Sequence, residues 1–153
     1  MPELVNLTRM AKKLRRAITR QDPNYYDMYE NGGEQYFARL YLHQIKKGIR
    51  EANLSGSLKI LDAGCQAGRL AVPLAQLQHR VTGIDTSDLA LRRARAHAQS
   101  AGVPLKTARG DIGQWATGQP ANSFDLVLCA EVLYMRSNYR ELLEALIRVV
   151  RPG

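Results

Sequence analysis

A glycine turn and three aspartates define the chemistry this sequence can do. Asp62 closes a short apolar run, Leu58, Ile60 and Leu61, of the kind a buried parallel strand shows. Gly64 and Gly68 open a tight turn after it, and Arg69 to Gln76 reads as a helix. Strand, glycine turn and helix present backbone N–H groups at a helix N-terminus to a ligand. A Cβ in the turn would block a positive φ or the ligand's close approach. Asp85 ends the next apolar run, His79 to Ile84, and a carboxylate there can accept from two adjacent ribose hydroxyls. Asp111 follows a third, weaker run and reads by itself as a turn or helix-cap aspartate. No Ser/His/Asp or Cys/His constellation accompanies them. His43, His79 and His97 are scattered without metal-ligand spacing, so no metal is expected. Cys65 and Cys129 form no CxxC and read as reduced thiols.

These residues need strands and helices in alternation. After the glycine-turn helix and the second strand, Thr86 or Ser87 can cap a helix over Asp88 to Ser100, which Gly102 stops. Leu89, Leu91, Ala94 and Ala98 form its apolar positions, and Arg92, Arg93 and Arg95 a solvated face. Val103 to Ala108 is a short third strand. Phe124 to Cys129 is a fourth, and Ala130, Glu131 and Tyr134 continue from its carboxyl end. Asn138 to Val150 is a helix with an Asn138/Glu141 cap signature and a buried stripe of Leu142, Ala145, Leu146, Val149 and Val150. Upstream, Glu34 to Ala52 is a helix with Phe37, Leu40, Tyr41, Ile45 and Ile49 on one face.

The acid at the strand end, with glycines two and six residues later, resembles motif I of the class I S-adenosylmethionine-dependent methyltransferases, usually D-x-G-x-G-x-G. Here it stands as Asp62-Ala63-Gly64-Cys65-Gln66-Ala67-Gly68, with Gln66 in place of the middle glycine. The dinucleotide fingerprint G-x-G-x-x-G fails at its second glycine, which is also Gln66. An ordinary βα turn is the alternative reading. Asp85 on the second strand, Gly110-Asp111-Ile112 after the third and Phe124-Asp125 opening the fourth follow in family order, over about residues 34 to 153.

The resemblance implies an α/β fold: a Rossmann-like, doubly wound parallel sheet with strands in the order 3-2-1-4, preceded by helices. It divides the chain into an N-terminal basic helix and hinge, 1–33, and a cofactor-binding part, 34–153. It implies S-adenosylmethionine as cofactor. Asp62 would organise the loop and the methionine amino group. Gly64, Cys65 and Gly68 would admit the cofactor, Asp85 and Thr86 would hold the ribose, and Asp111 with Ile112 the adenine. Trp115 would pack near the adenine edge. Ala130, Glu131 and Tyr134 would face the methyl-bearing end or the acceptor, with Glu131 and Tyr134 as weak candidates for a general base. The methyl acceptor is not identified. A methyltransferase-like binding or scaffold domain without activity is the alternative function, and a nicotinamide-binding dehydrogenase domain is less favoured.

The family's sheet has seven strands and only four are legible here, so a truncated chain or a partner that supplies the remainder is expected. An uncovered fourth strand would invite pairing, including a dimer, along its edge. The chain has 153 residues, 45% hydrophobic and 24% charged, which suits one globular domain. A net charge of +8 admits an acidic partner, nucleic acid or an anionic surface. Leu4 to Thr19 is a basic amphipathic segment that would meet it, or else a lid helix or a presequence. Tyr25, Tyr26, Tyr29 and Tyr36 surround Asn31-Gly32-Gly33, a hinge beside which an aromatic could touch the cofactor or merely pack. No apolar run is long enough to span a bilayer and no signal peptide is evident, so a cytoplasmic location is expected.

Overall fold

A computed structural model describes residues 32–152, with side chains from Ala38 onward. The chain divides into two units, Met1–Phe37 and Ala38–Gly153; the sheet and the site belong to the second. The expected N-terminal helix and Tyr25, Tyr26, Tyr29 and the side chain of Tyr36 lie outside the described residues.

Helix α1, Gly32–Glu51, leads to strand β1, Lys59–Ala63. Then come α2, Ala71–Gln76; β2, Arg80–Asp85; α3, Asp88–Ser100; β3, Lys106–Arg109; α4, Ile112–Thr117; β4, Leu126–Leu128; a 3-10 turn, Leu133–Met135; and α5, Tyr139–Val149. The strands form one sheet in the order β3-β2-β1-β4, and every pairing is parallel. Gly32 and Gly33, expected in a hinge, instead begin α1.

Both sheet faces are covered, and period-2 alternation along β1 explains why. Leu58 and Ile60, with Val81 of β2, pack against Leu70, Ala71, Leu74 and Ala75 at the start of and along α2. Tyr41, Leu42, Ile45 and Ile49 of α1 close over that layer. Leu61, Ala63 and Ile84 point to the opposite face, onto Ile112, Ala116, Leu142, Leu146 and Val149 of α4 and α5. Ile60, Leu61, Leu74, Ile84, Leu91, Leu142 and Val149 are fully buried, each burial worth about 1.5–3 kcal/mol. A β-strand exposes alternate residues to alternate faces, so a run apolar at nearly every position requires helices on both sides.

Several boundaries differ from those read in the sequence, each for a local reason. Strand β3 begins at Lys106 rather than Val103, because its ladder starts opposite Thr82 and Pro104 has no N–H to donate. Strand β4 is trimmed to three residues. Phe124 instead makes a single parallel bridge to Val150, and the Asp125 carboxylate accepts from the Lys59 N–H at 2.7 Å. Leu40 is exposed, and Leu42 takes its place on the packed stripe of α1. Leu89 and Val150 are only half-buried. Ser87, not Thr86, caps α3, its hydroxyl accepting from the Ala90 N–H. Asn138 makes no side-chain cap bond, so the signature with Glu141 is not realised.

Arg148 supplies an unforeseen brace. Its Nη2 donates to the carbonyls of Ala116 at 2.7 Å, Thr117 at 2.9 Å and Gln119 at 2.6 Å. Ala116 and Thr117 close α4 and Gln119 follows it, at a helix C-terminus where a cation is favoured.

Candidate cofactor and acceptor crevice

The carboxyl ends of β1, β2 and β3 lie side by side, since Ala63 pairs with Ile84 and Asp85 with Arg109. Asp62 and Asp85 therefore project from adjacent strands. The Gly110 N–H donates to the Asp85 carbonyl at 3.1 Å and brings Asp111 to the same edge. The sheet thus gathers the three aspartates named from the sequence.

The glycine loop between them is stitched to β2. The N–H groups of Gly64 and Cys65 both donate to the Ile84 carbonyl, at 2.8 and 3.1 Å. The Gln66 N–H donates to Asp85 Oδ2 at 3.0 Å, and the Gly68 N–H to the Cys65 carbonyl at 2.8 Å. The imidazole Nδ1 of His97 on α3 meets the Ala67 carbonyl at 2.9 Å. The expectation of loop amides turned out toward a ligand is therefore corrected at these four positions: the chain itself uses them.

Two glycines make the loop feasible. Gly64 has φ +85° and Gly68 φ +83°. A Cβ on Gly64 would lie 2.4 Å from Val132 Cγ2, and one on Gly68 would lie 3.2 Å from Ala94 Cβ. Gln66 also adopts left-handed backbone, φ +47°, which explains why glycine is usual in this place. Its N–H still reaches Asp85, so the substitution leaves the frame intact. Cys65 is buried, and a Cβ at Gly83 would come within 2.6 Å of its sulfur. The thiol is thus spent on packing against β2, and burial holds it well above its ordinary pKa. Gly83, in mid-strand, went unremarked in the sequence; a glycine inside a strand is itself a sign of close approach.

The electrostatics of the floor are acidic. Asp62 is the one buried charged residue among those described, 3% exposed. Burial first, then the neighbouring Asp85, pushes its carboxyl up to about 7, while the Ala71 N–H and Arg69 oppose the rise. Asp85 accepts from Gln66 and, through Oδ1, from the Ser87 N–H at 2.9 Å. Burial nevertheless raises its pKa. The backbone N–H groups of Ser87, Gln66 and Thr86 oppose that rise.

Asp111 behaves differently. Its Oδ1 caps α4, accepting from the Gln114 N–H at 3.1 Å, and its other oxygen pairs with Arg136. The arginine holds this carboxyl below the usual range. The cap reading of Asp111 is thus realised, and Arg136 is a partner that sequence reasoning missed. Ile112 is buried in the core. Trp115 packs on Phe124, ring centroids 6.3 Å apart. Thr86 is exposed and Ala130 half-buried.

The segment after β4 forms the rim. Glu131 is exposed and left-handed, φ +59°, and Tyr41 of α1 donates its hydroxyl to Glu131 Oε1. Val132 is buried against Gly64. Tyr134 and Met135 are 68% and 41% exposed. The position of Tyr41 on the apolar stripe of α1 predicts packing alone and carries no sign of a polar role. Among the described residues no group of three or more His, Cys, Asp or Glu is placed to hold a metal ion.

A parallel sheet that sets acids at adjacent strand tips beyond a glycine loop defines a nucleoside-binding α/β domain. Residues 60–153 match the methyltransferase domain family, and the chain belongs to the class I S-adenosylmethionine-dependent methyltransferases. It is 41% identical over 96 residues to a ubiquinone biosynthesis O-methyltransferase of Methylocella silvestris, covering 63% of this chain and 37% of that protein. It is 35% identical over 103 residues to the protein of the same name from Bordetella avium, covering 65% and 42%. The chain therefore spans about two-fifths of the length of these relatives. Magnesium protoporphyrin IX methyltransferase from Synechocystis PCC 6803, solved with bound S-adenosylmethionine, superimposes with a TM-score of 0.70 over 89% of this chain and 69% of that one. At 22% identity that likeness is one of fold. Among the described residues no helix is long and apolar enough to cross a membrane.

Proposed function

We propose that the crevice binds S-adenosylmethionine and that a methyl group passes from it to a hydroxyl of an acceptor. One observation carries the reading: two carboxylates on adjacent strand tips face a loop in which the amides of Gly64, Cys65, Gln66 and Gly68 are already consumed. A dinucleotide needs free N–H groups for its pyrophosphate. A cationic ligand needs the reverse, and Asp62, held high by burial beside Asp85, is relieved by a neighbouring positive charge. That favours the adenosylmethionine reading over the nicotinamide one.

When bound, the cofactor supplies a methyl group already activated by its sulfonium. The chain's own residues then have only to hold and orient. Asp62 takes the methionine amino group. Gly64 and Gly68 leave room for the ligand, with Cys65 fixing the loop from behind. Asp85 accepts from the ribose hydroxyls, beside Thr86. Asp111 and Ile112 take the adenine end, where Arg136 shares the carboxylate. Ala130 and Glu131 would border the acceptor, and Glu131, with Tyr134 as the other candidate, would accept its proton. The names of the curated relatives support an oxygen acceptor.

Thermal unfolding tests this. S-adenosylhomocysteine at a 100-fold excess over its Kd should stabilise the chain by about 2.7 kcal/mol, and NAD should not. Stabilisation by NAD alone, or by neither, contradicts the proposal.

A further inference from the structure

We propose that Tyr41 is a positioning residue for the acceptor step: its phenol holds, on Glu131, the place that the hydroxyl of an aromatic acceptor takes before methyl transfer. This rests on the reading of the crevice given above.

The pair joins residues 90 positions apart. Tyr41 reaches from α1 and Glu131 from the loop beyond β4, and the hydroxyl donates to Oε1. Glu131 keeps a left-handed backbone that glycine would normally occupy. Non-glycine residues held this way concentrate where a site needs a side chain aimed. Its neighbour Val132 is buried against Gly64, so the loop that aims Glu131 is anchored on the glycine turn. The pair is also open to an incoming molecule. Glu131 is exposed, and Tyr134 and Met135 beside it offer apolar surface to a ring.

The geometry thus contains a phenol seated on a carboxylate at the mouth of a methyltransferase crevice. An acceptor phenol presents the same O–H to the same oxygen. Tyr41 keeps Glu131 aimed while the acceptor is absent and yields to it by exchange, one O–H···O hydrogen bond for another. In the transfer the acceptor proton passes to Glu131. The acceptor oxygen bonds the methyl carbon as the carbon–sulfur bond breaks, and that electron pair stays on sulfur. The groups acting on Tyr41 agree: its donation to Glu131 raises its pKa first, burial and the Glu131 charge add to this, and Arg69 opposes it.

The test is nuclear magnetic resonance of the chain labelled with 13C at tyrosine Cζ. The Tyr41 signal is the one missing from Tyr41→Phe. In the wild type it should titrate above the ordinary tyrosine value, and in Glu131→Gln it should return to that value. Unlabelled phenol, added near neutral pH, should shift this signal in the wild type. Phenol should bind Tyr41→Phe about fivefold more tightly, because a competing hydrogen bond is gone, and should not bind Glu131→Gln measurably. Equal phenol affinity in the wild type and Tyr41→Phe, or a Tyr41 signal indifferent to phenol, overturns the proposal. Stabilisation by S-adenosylhomocysteine, followed in the same three proteins, should be unchanged. Its absence in all three refutes the cofactor reading, while the phenol exchange is still scored by its own signal.

Discussion

The floor and the rim of the crevice are built on opposite plans. The floor is held through main-chain donors: the N–H groups of Gly64, Cys65 and Gly68 reach backbone carbonyls and that of Gln66 reaches the Asp85 carboxylate, over a core of buried apolar residues. The rim, from Ala130 to Arg136, is held by side chains. Tyr41 grips Glu131, Val132 plugs against Gly64 and Arg136 grips Asp111. A frame of main-chain bonds has one conformation in which all donors are satisfied, so it is rigid. The two polar ties of the rim are partly exposed and contribute little each, while the buried Val132 anchors the segment. The arrangement suits a site that must hold a cofactor in one geometry yet admit an acceptor over the edge.

The sharpest way to break the floor is Gly64→Ala. The added methyl meets Val132 Cγ2 at 2.4 Å with φ at +85°. Overpacking and a left-handed alanine together should cost about 3 kcal/mol in chemical denaturation and abolish the response to S-adenosylhomocysteine. The next effect is electrostatic. Asp62 in the folded chain titrates near 7 against an ordinary value of 3.8. The native state therefore holds its proton more tightly than the unfolded state. The stability linked to this group is full below about pH 4 and is lost as pH rises to about 7. Relative to Asp62→Asn, the wild type should lose on the order of 2–3 kcal/mol between pH 5 and pH 8, measured as the difference between two urea-unfolding series.

Rim substitutions should be milder. Arg136→Ala removes a half-exposed ion pair and should cost under about 1 kcal/mol. It should also move the Asp111 titration up toward its ordinary range. Because Arg136 depresses that pKa, the pair's contribution is present above the ordinary carboxylate value and fades as pH falls through the folded one. The smallest change is expected at Gln66→Gly. Relief of a left-handed side chain and the extra freedom of the unfolded chain nearly cancel, leaving a net effect within about 0.5 kcal/mol. Gln66→Val, by contrast, adds a β-branched side chain at φ +47° and should destabilise.

The same division explains what could be read from the sequence. The strands, the two covered faces and the acids at the strand ends follow from apolar runs, glycines and spacings, all local signals, while the strand order and the joint role of Asp62, Asp85 and Asp111 are legible only through the family resemblance. The rim resisted such reading. Tyr41 and Glu131 are 90 residues apart, Asp111 and Arg136 are 25, and nothing in the local composition of either partner announces the other. The use of the loop amides was also hidden, because whether an N–H faces a ligand or the next strand depends on tertiary register. Asn138 shows the converse. A correct local cap pattern is present, but the backbone enters α5 at φ −97°, ψ 37°, and no side-chain bond forms.

The most direct measurement is a crystal structure of the chain grown with S-adenosylhomocysteine. The ligand should lie across the carboxyl ends of β1 and β2, with both ribose hydroxyls on Asp85 and the amino group at Asp62. A ligand seated elsewhere, or an empty crevice at saturating concentration, would contradict the proposed function.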